Sequence, residues 1–156
     1  MDNAGWRISQ GLLTTFFALC RMYTACGSVR EATFFAQQAE ELATALNAPA
    51  MTARALTWKA ELELNQGLTK DGCETLERAS RFLQYGQGVD QIAKDGDILE
   101  LVEIKRLVGQ YELDDDAEAA NESARKILLR LDETLGAFDG LAFGYVLMKD
   151  LLIVSY

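Results

Sequence analysis

The sequence contains no histidine, and this absence excludes several kinds of chemistry. Neither a Ser-His-Asp triad nor a Cys-His dyad can form within the chain, and no metal ion can be bound through imidazole. An enzyme built from these residues would depend on carboxylates alone, and no glycine-rich or metal-binding pattern accompanies them. We therefore expect no catalytic residue, no metal site and no cofactor.

Cysteine and proline are also scarce. The three cysteines are an odd number and include no Cys-x-x-Cys pair, which indicates reduced, partly buried thiols in a protein of the cytoplasm or nucleus. The single proline, Pro49, leaves long segments free to form helices. No run of about 18 apolar residues is present, so the sequence predicts no membrane-spanning segment.

Basic residues are outnumbered by acidic ones. The 15 Lys and Arg against 24 Asp and Glu give a net charge of −9, which argues against a nucleic-acid partner because phosphate binding requires clustered bases. Residues 1–84 hold eight bases and nine acids, a net charge of −1, whereas residues 85–156 hold seven bases and 15 acids, a net charge of −8. The acidic half is either a solvated helix surface or a surface that attracts a basic partner.

The residues that are abundant favour helices. Ala, Leu, Glu, Gln and Arg are frequent, and apolar residues recur at intervals of three and four. This spacing predicts an all-α fold, an irregular tetratricopeptide (TPR)-like array of antiparallel helix hairpins with six or seven helices. The predicted helices cover residues 6–26, 29–46, 50–66, 68–85, 97–111, 116–135 and, for the seventh, 138–156. Two glycines predict a mobile loop at 86–96.

Glycine marks two of the predicted hairpin turns. Gly27 and Gly67 supply the left-handed conformation that ends many helices, and Ser28 with Glu31 fits a capping box at the start of the next helix. The two glycines are 40 residues apart. This spacing exceeds the repeat of about 34 residues in regular TPR proteins and indicates an irregular TPR-like or HEAT-like array.

Helical spacing also predicts which side chains are buried and which are paired. On the first helix we predict a buried stripe that leaves out Phe17 and Met22. Its members are Ile8, Leu12, Leu13, Phe16, Leu19, Cys20 and Tyr23. On the fourth helix, Glu74 with Arg78 and Glu77 with Arg81 are four residues apart and are predicted to form ion pairs.

Two groups of residues are candidates for partner binding. Leu147, Leu151 and Ile153 lie in the last, almost wholly apolar segment, which either caps the array or packs on another part of a larger chain. Asp114, Asp115 and Asp116 form an acidic run at a predicted turn before the sixth helix. The run lacks the spacing of a calcium loop, so it is either a helix cap or an acidic contact for a partner. We expect residues 1–156 to form one domain, as a fragment of a larger chain.

Residues 23–49 resemble the TPR-like helical region of fungal separases. The resemblance is carried by Gly-Ser-Val-Arg-Glu-Ala at 27–32, by the aromatic pair at 34–35, and by Asn-Ala-Pro at 47–49. It implies a non-catalytic scaffold beside the protease domain of a cohesin-cleaving cysteine endopeptidase, with the rest of that chain, securin and the cohesin kleisin subunit as partners. The catalytic His and Cys of that family have no counterpart here. The alternative is a free-standing TPR-type adaptor that binds a peptide or a partner helix.

Overall fold

The computed structural model of the chain describes residues 3–85, 95–110 and 114–138, and every regular element within these ranges is an α-helix. The predicted all-α class is confirmed. The helices are α1 (Asn3–Ala25), α2 (Val29–Ala45), α3 (Pro49–Asn65), α4 (Thr69–Tyr85), α5 (Asp95–Gln110) and α6 (Asp114–Phe138). The seventh predicted helix, 138–156, lies outside the described residues except for its first position, which ends α6.

Two predicted boundaries near α5 and α6 are wrong. The loop predicted at 86–96 overlaps α5, which already begins at Asp95, and residues 86–94 lie outside the described part of the chain. The run from Asp114 to Asp116 is not a turn before the helix but the first turn of α6 itself. Acidic residues are favoured there because the amino end of a helix carries a partial positive charge.

The first four helices are joined by three turns of the same kind, twenty residues apart. Gly27, Asn47 and Gly67 each have a positive φ, of 76°, 54° and 79°. In every turn the amide after this residue donates to the carbonyl five positions earlier, at 2.9–3.0 Å. The amide of the positive-φ residue itself donates to the carbonyl three positions earlier, at 3.0–3.1 Å. These two bonds define a Schellman motif. The helix that follows each motif, α2, α3 or α4, is 17 residues long.

The starts of α2 and α3 differ in how they are capped. Ser28 occupies the N-cap position of α2, but its side chain makes no capping hydrogen bond, so the predicted capping box is wrong. Its backbone carbonyl accepts from the Ala32 amide at 3.0 Å instead. Pro49 occupies the first turn of α3, where its missing amide proton leaves no bond unmade.

The described helices pack around two hydrophobic cores, and α3 contributes to both. The C-terminal core joins α3, α4, α5 and α6, with α6 lying against α3 and α4 as well as α5. It contains Ala53, Leu56, Ala60, Leu64, Cys73, Leu76, Ala79, Leu83, Leu101, Ile104, Ala120, Ala124, Ile127, Leu128, Leu131 and Leu135. The N-terminal core joins α1, α2 and α3 through Leu13, Phe17, Ala39, Ala43 and Ala55, with partly buried residues around them.

The buried side of α1 differs from the predicted stripe. Phe17 is 2% exposed, although it was predicted to lie off the stripe, whereas Ile8 and Leu12 are 72% and 46% exposed. The reason is that α2 and α3 both approach α1 from the side that carries Leu13 and Phe17. None of the other described helices covers the side that carries Ile8 and Leu12.

Ion pairs between helices replace one of the two predicted within α4. Glu77 and Arg81 do pair, at 3.0 Å. Arg78 instead contacts Glu40 of α2 at 2.5 Å, and Glu74 contacts Lys105 of α5 at 3.1 Å. Glu40 is buried, and a buried carboxylate is costly unless a cationic partner compensates its charge.

None of the helices in the described ranges is both long enough and apolar enough to span a bilayer.

Candidate partner-binding surface

Neither predicted group of binding residues has side chains among those that the structure describes. The structure places the backbone of Asp114, Asp115 and Asp116 in the first turn of α6, and their side chains are not described. Leu147, Leu151 and Ile153 lie outside the described residues. Both groups therefore stay predictions. A different candidate surface lies among the described residues of α3 and α6.

That surface begins with a row of four side chains along the outward side of α3. The row, called here the α3 row, consists of Arg54, Trp58, Glu61 and Asn65, spaced by four, three and four residues. This spacing places them on one side of a helix. The α3 row lies between α1 and α6, because Glu61 pairs with Arg21 of α1 at 2.9 Å and Arg54 pairs with Asp132 of α6.

Trp58 is the centre of the α3 row, and its ring is held from several directions. The guanidinium carbons of Arg21 and Arg54 lie 4.9 and 5.4 Å from the ring centroid. Phe17 makes an edge contact with it at 5.0 Å between centroids. Cation–π attraction fixes the indole, and the ring together with Asp132 compensates the positive charge of Arg54, which is 4% exposed. Trp58 itself is only half-buried, so part of its ring faces solvent.

An open groove of about 590 Å³ continues from the α3 row towards α6. It is lined by Leu64, Asn65, Gly67, Thr69, Glu118, Asn121, Glu122 and Arg125. The Asn121 side-chain amide donates to the Leu64 carbonyl at 3.2 Å and to the Thr69 hydroxyl at 2.8 Å. Its carbonyl oxygen accepts from Arg125 Nε at 2.9 Å. Asn121 therefore joins α6 to the turn between α3 and α4 and fixes the floor of the groove.

The α6 wall of the groove carries two carboxylates and the Arg125 guanidinium, and an exposed leucine follows on the same helix. Glu118 and Glu122 are exposed, lie four residues apart, and form no ion pair with any other described residue. Leu129, one helical turn after Arg125, is 59% exposed. The surface thus offers two carboxylates for a cationic group, with exposed apolar area on Leu129 and on the edge of Trp58.

Burial alters the pKa values of two cysteines and of one carboxylate of α3. Burial raises the pKa of the Cys20 thiol, and it raises the pKa of Cys73 to about 11. Burial also raises the pKa of Glu63, an effect partly opposed by the hydrogen bond that the Thr75 hydroxyl donates to its carboxylate at 2.6 Å. All three cysteines are free, as predicted, and the raised pKa values make the two buried thiols poor nucleophiles.

The helices that the structure describes contain no candidate metal site. Within residues 3–85, 95–110 and 114–138, no group of three His, Cys, Asp or Glu side chains is close enough to hold one. The α3 row and the groove contain carboxylates, guanidiniums, amides and apolar groups. These groups could form ion pairs, hydrogen bonds and apolar contacts with another molecule.

Sequence reasoning missed this surface for a specific reason. Nothing in the sequence distinguishes Trp58 from other apolar residues of the third helix, or Glu118 and Glu122 from other acidic residues. The spacing of the α3 row was a usable signal, because it defines a second side of α3.

No family model, no curated protein and no solved structure matches the chain. The function is therefore inferred from the geometry of the surface.

Proposed function

We propose that the chain is a non-catalytic helical interaction module, which binds a basic and partly apolar peptide segment of a partner protein. The observation that carries this proposal is the open groove beside the α3 row, with Glu118 and Glu122 on its wall and without ion-pair partners in the described part of the chain. The side chains that form the floor already bond to one another, so binding would require little rearrangement of them.

The chemistry of the surface specifies what such a peptide should contain. A Lys or Arg side chain would lie against Glu118 and Glu122, and an apolar side chain would cover Leu129 or the exposed edge of Trp58. The exposed amide of Asn65 is available to the peptide backbone. Solvent-exposed ion pairs are each worth about 1 kcal/mol or less and are screened by salt. We therefore expect weak binding that falls as ionic strength rises.

The test compares binding of one probe to the intact chain and to two charge-reversed variants. The probe is a fluorescein-labelled peptide in which Lys alternates with Leu, followed by fluorescence anisotropy, with a Glu-for-Lys version as the negative probe. Glu118→Lys/Glu122→Lys should weaken binding at least about tenfold. Glu31→Lys/Glu41→Lys changes the net charge equally on exposed positions of α2 and should leave binding unchanged.

Two outcomes would contradict the proposal. The unaltered chain could fail to bind the Lys-Leu peptide, or both double variants could lose binding equally. The second result would show that only the net charge of −9 attracts the probe.

A narrower proposal is that this module is the scaffold of a separase, and its support is the resemblance of residues 23–49. The test is co-elution of the chain with a fungal separase protease domain, and separately with securin. The expected result is a complex that is lost when Leu147, Leu151 and Ile153 are replaced by polar residues. A chain that elutes alone in both experiments would contradict the separase proposal and leave a free-standing adaptor.

A further inference from the structure

The outward side of α1 exposes a continuous apolar row. Ile8 and Met22 are 72% and 48% exposed, and Leu12 is 46% exposed. With Thr15 and the half-buried Leu19 they are spaced by four, three, four and three residues, which places all five on one side of the helix. The row is about 21 Å long at the rise of an α-helix.

The five side chains of the row are uncharged, and the exposed Arg7 lies beside the row, next to Ile8 and four residues before Gly11. The whole of α1 contains two charged residues, Arg7 and Arg21, and no acidic ones. Arg21 is turned towards α3, where it pairs with Glu61. The Thr15 hydroxyl donates to the Gly11 carbonyl at 2.9 Å, so the one polar side chain in the row is bonded within its own helix. Covering the row would therefore leave no side-chain hydrogen bond of Thr15 unmade.

Small residues lie beside the row, at levels along the helix axis where large residues of a second α1 could pack. Gly11, Ala18 and Ala25 are exposed and seven residues apart, and a methyl group added at Gly11 would meet no other atom within 4 Å. If two α1 helices pack antiparallel about a two-fold axis at Thr15, each large residue faces a small or flexible one. The facing pairs are then Leu19 with Gly11, Leu12 with Ala18, and Ile8 with Met22.

A self-complementary surface of this kind is what a two-fold symmetric interface requires. The charge distribution favours the same arrangement. Residues 1–84 have a net charge of −1 and residues 85–156 a net charge of −8. Two copies joined through α1 would place their nearly neutral halves together and keep the acidic halves apart, which limits electrostatic repulsion. A basic partner would have no acidic group on α1 to bind.

From these observations we infer that the outward side of α1 is a homodimer interface, in which a second copy of the chain packs antiparallel through its own α1. This interface is separate from the α3 row and the groove of the proposed function. It uses residues of α1 only, so both surfaces can act at once.

The first test is sedimentation equilibrium of the full chain over a range of concentrations. We expect a monomer–dimer equilibrium that Ile8→Glu/Leu12→Glu weakens by at least about 100-fold. Leu99→Glu/Val102→Glu is the matched control, because these two apolar residues are 70% and 41% exposed on α5. The control should dimerise like the unaltered chain, and circular dichroism should show both variants folded.

The second test concerns the two-fold axis. A residue on that axis faces its own copy, so Thr15→Cys/Cys26→Ser should form a covalent dimer under mild oxidation, and Leu99→Cys/Cys26→Ser should not. A chain that stays monomeric at its solubility limit would overturn the inference. A dimer that survives Ile8→Glu/Leu12→Glu, or equal crosslinking of the two cysteine variants, would do the same.

Discussion

The two hydrophobic cores differ in what fills them. Among the described residues, eight leucine or isoleucine side chains of the C-terminal core are less than 2% exposed, and they are Leu56, Leu64, Leu76, Leu83, Leu101, Ile127, Leu131 and Leu135. In the N-terminal core, Phe17 is the one large side chain that is buried to the same degree. Its other fully buried members are alanines. The residues packed against them are themselves only partly buried, and they are Phe16, Leu42, Leu46, Met51 and Trp58.

This difference separates two ways of holding helices together. Large aliphatic side chains bury much apolar area, at about 25 cal/mol per Å², and they dominate the free energy of folding. Alanines contribute less area but allow helices to approach closely, so α2 packs near α1 and α3 while aromatic rings cover the rim of the contact. We therefore expect the α1–α2 hairpin to open at a lower free energy than the α3–α6 bundle.

The largest expected effect comes from matched leucine deletions in the two cores. Leu131→Ala, at a position 1% exposed, should lower the free energy of unfolding by about 4 kcal/mol, and Leu13→Ala, at 3%, by about 2 kcal/mol. Urea unfolding measures both. Hydrogen exchange should show faster exchange throughout the chain for Leu131→Ala, but mainly in α1 and α2 for Leu13→Ala. Equal losses, with the same exchange pattern, would show that the chain has one cooperative core.

A smaller effect, with opposite signs, is expected at two helical glycines. A Cβ at Gly72 would lie 2.6 Å from Leu64 Cδ2, within the C-terminal core, so overpacking should exceed the gain in helix propensity. Gly72→Ala should cost about 1 kcal/mol, and Gly11→Ala, in open space on α1, should gain about 1 kcal/mol. Urea unfolding of the monomer at low protein concentration measures both, and a gain at Gly72 would contradict the tight packing of this core.

The smallest effect concerns pH and the contact between α3 and α4. Burial raises the pKa of Glu63 in the folded chain above 4.5, so the folded chain binds a proton at Glu63 more tightly than the unfolded chain does. The free energy of unfolding therefore falls as pH rises from about 4.5 through the folded-state pKa. When protonated, Glu63 can donate to the Thr75 hydroxyl, which in turn donates to the Asp71 carbonyl at 2.9 Å. Glu63→Gln should therefore stabilise the chain at neutral pH by less than about 1 kcal/mol.

The matched control for this pH effect is Glu61→Gln, whose side chain is partly exposed on the other side of α3. Thermal unfolding measured between pH 4 and pH 8 should show a flatter profile for Glu63→Gln than for Glu61→Gln. Identical profiles for the two variants would show that burial of Glu63 does not destabilise its charged form.

The sequence predicted much of the fold and little of the candidate surface. The buried sides of α2, α4 and α6 follow from their spacing, because each of these helices has one apolar side and one polar side. Prediction succeeded only in part for α1, where Leu13 and Cys20 are buried as predicted. Apolar residues surround this helix, so periodicity could not decide between Leu12 and Phe17. The ion pairs of the α3 row could not be predicted either, because they join residues 40 or 78 positions apart.

The even spacing of Gly27, Asn47 and Gly67 has a consequence for how the chain can change in length. Each turn reverses the direction of the backbone, so inserting or deleting a single twenty-residue segment would invert every helix that follows it. A forty-residue segment, two helices with their turns, restores the direction and ends in a turn of the same geometry. The smallest unit by which this part of the chain can grow or shrink is therefore a pair of helices, and its turns need only a glycine or an asparagine at one position.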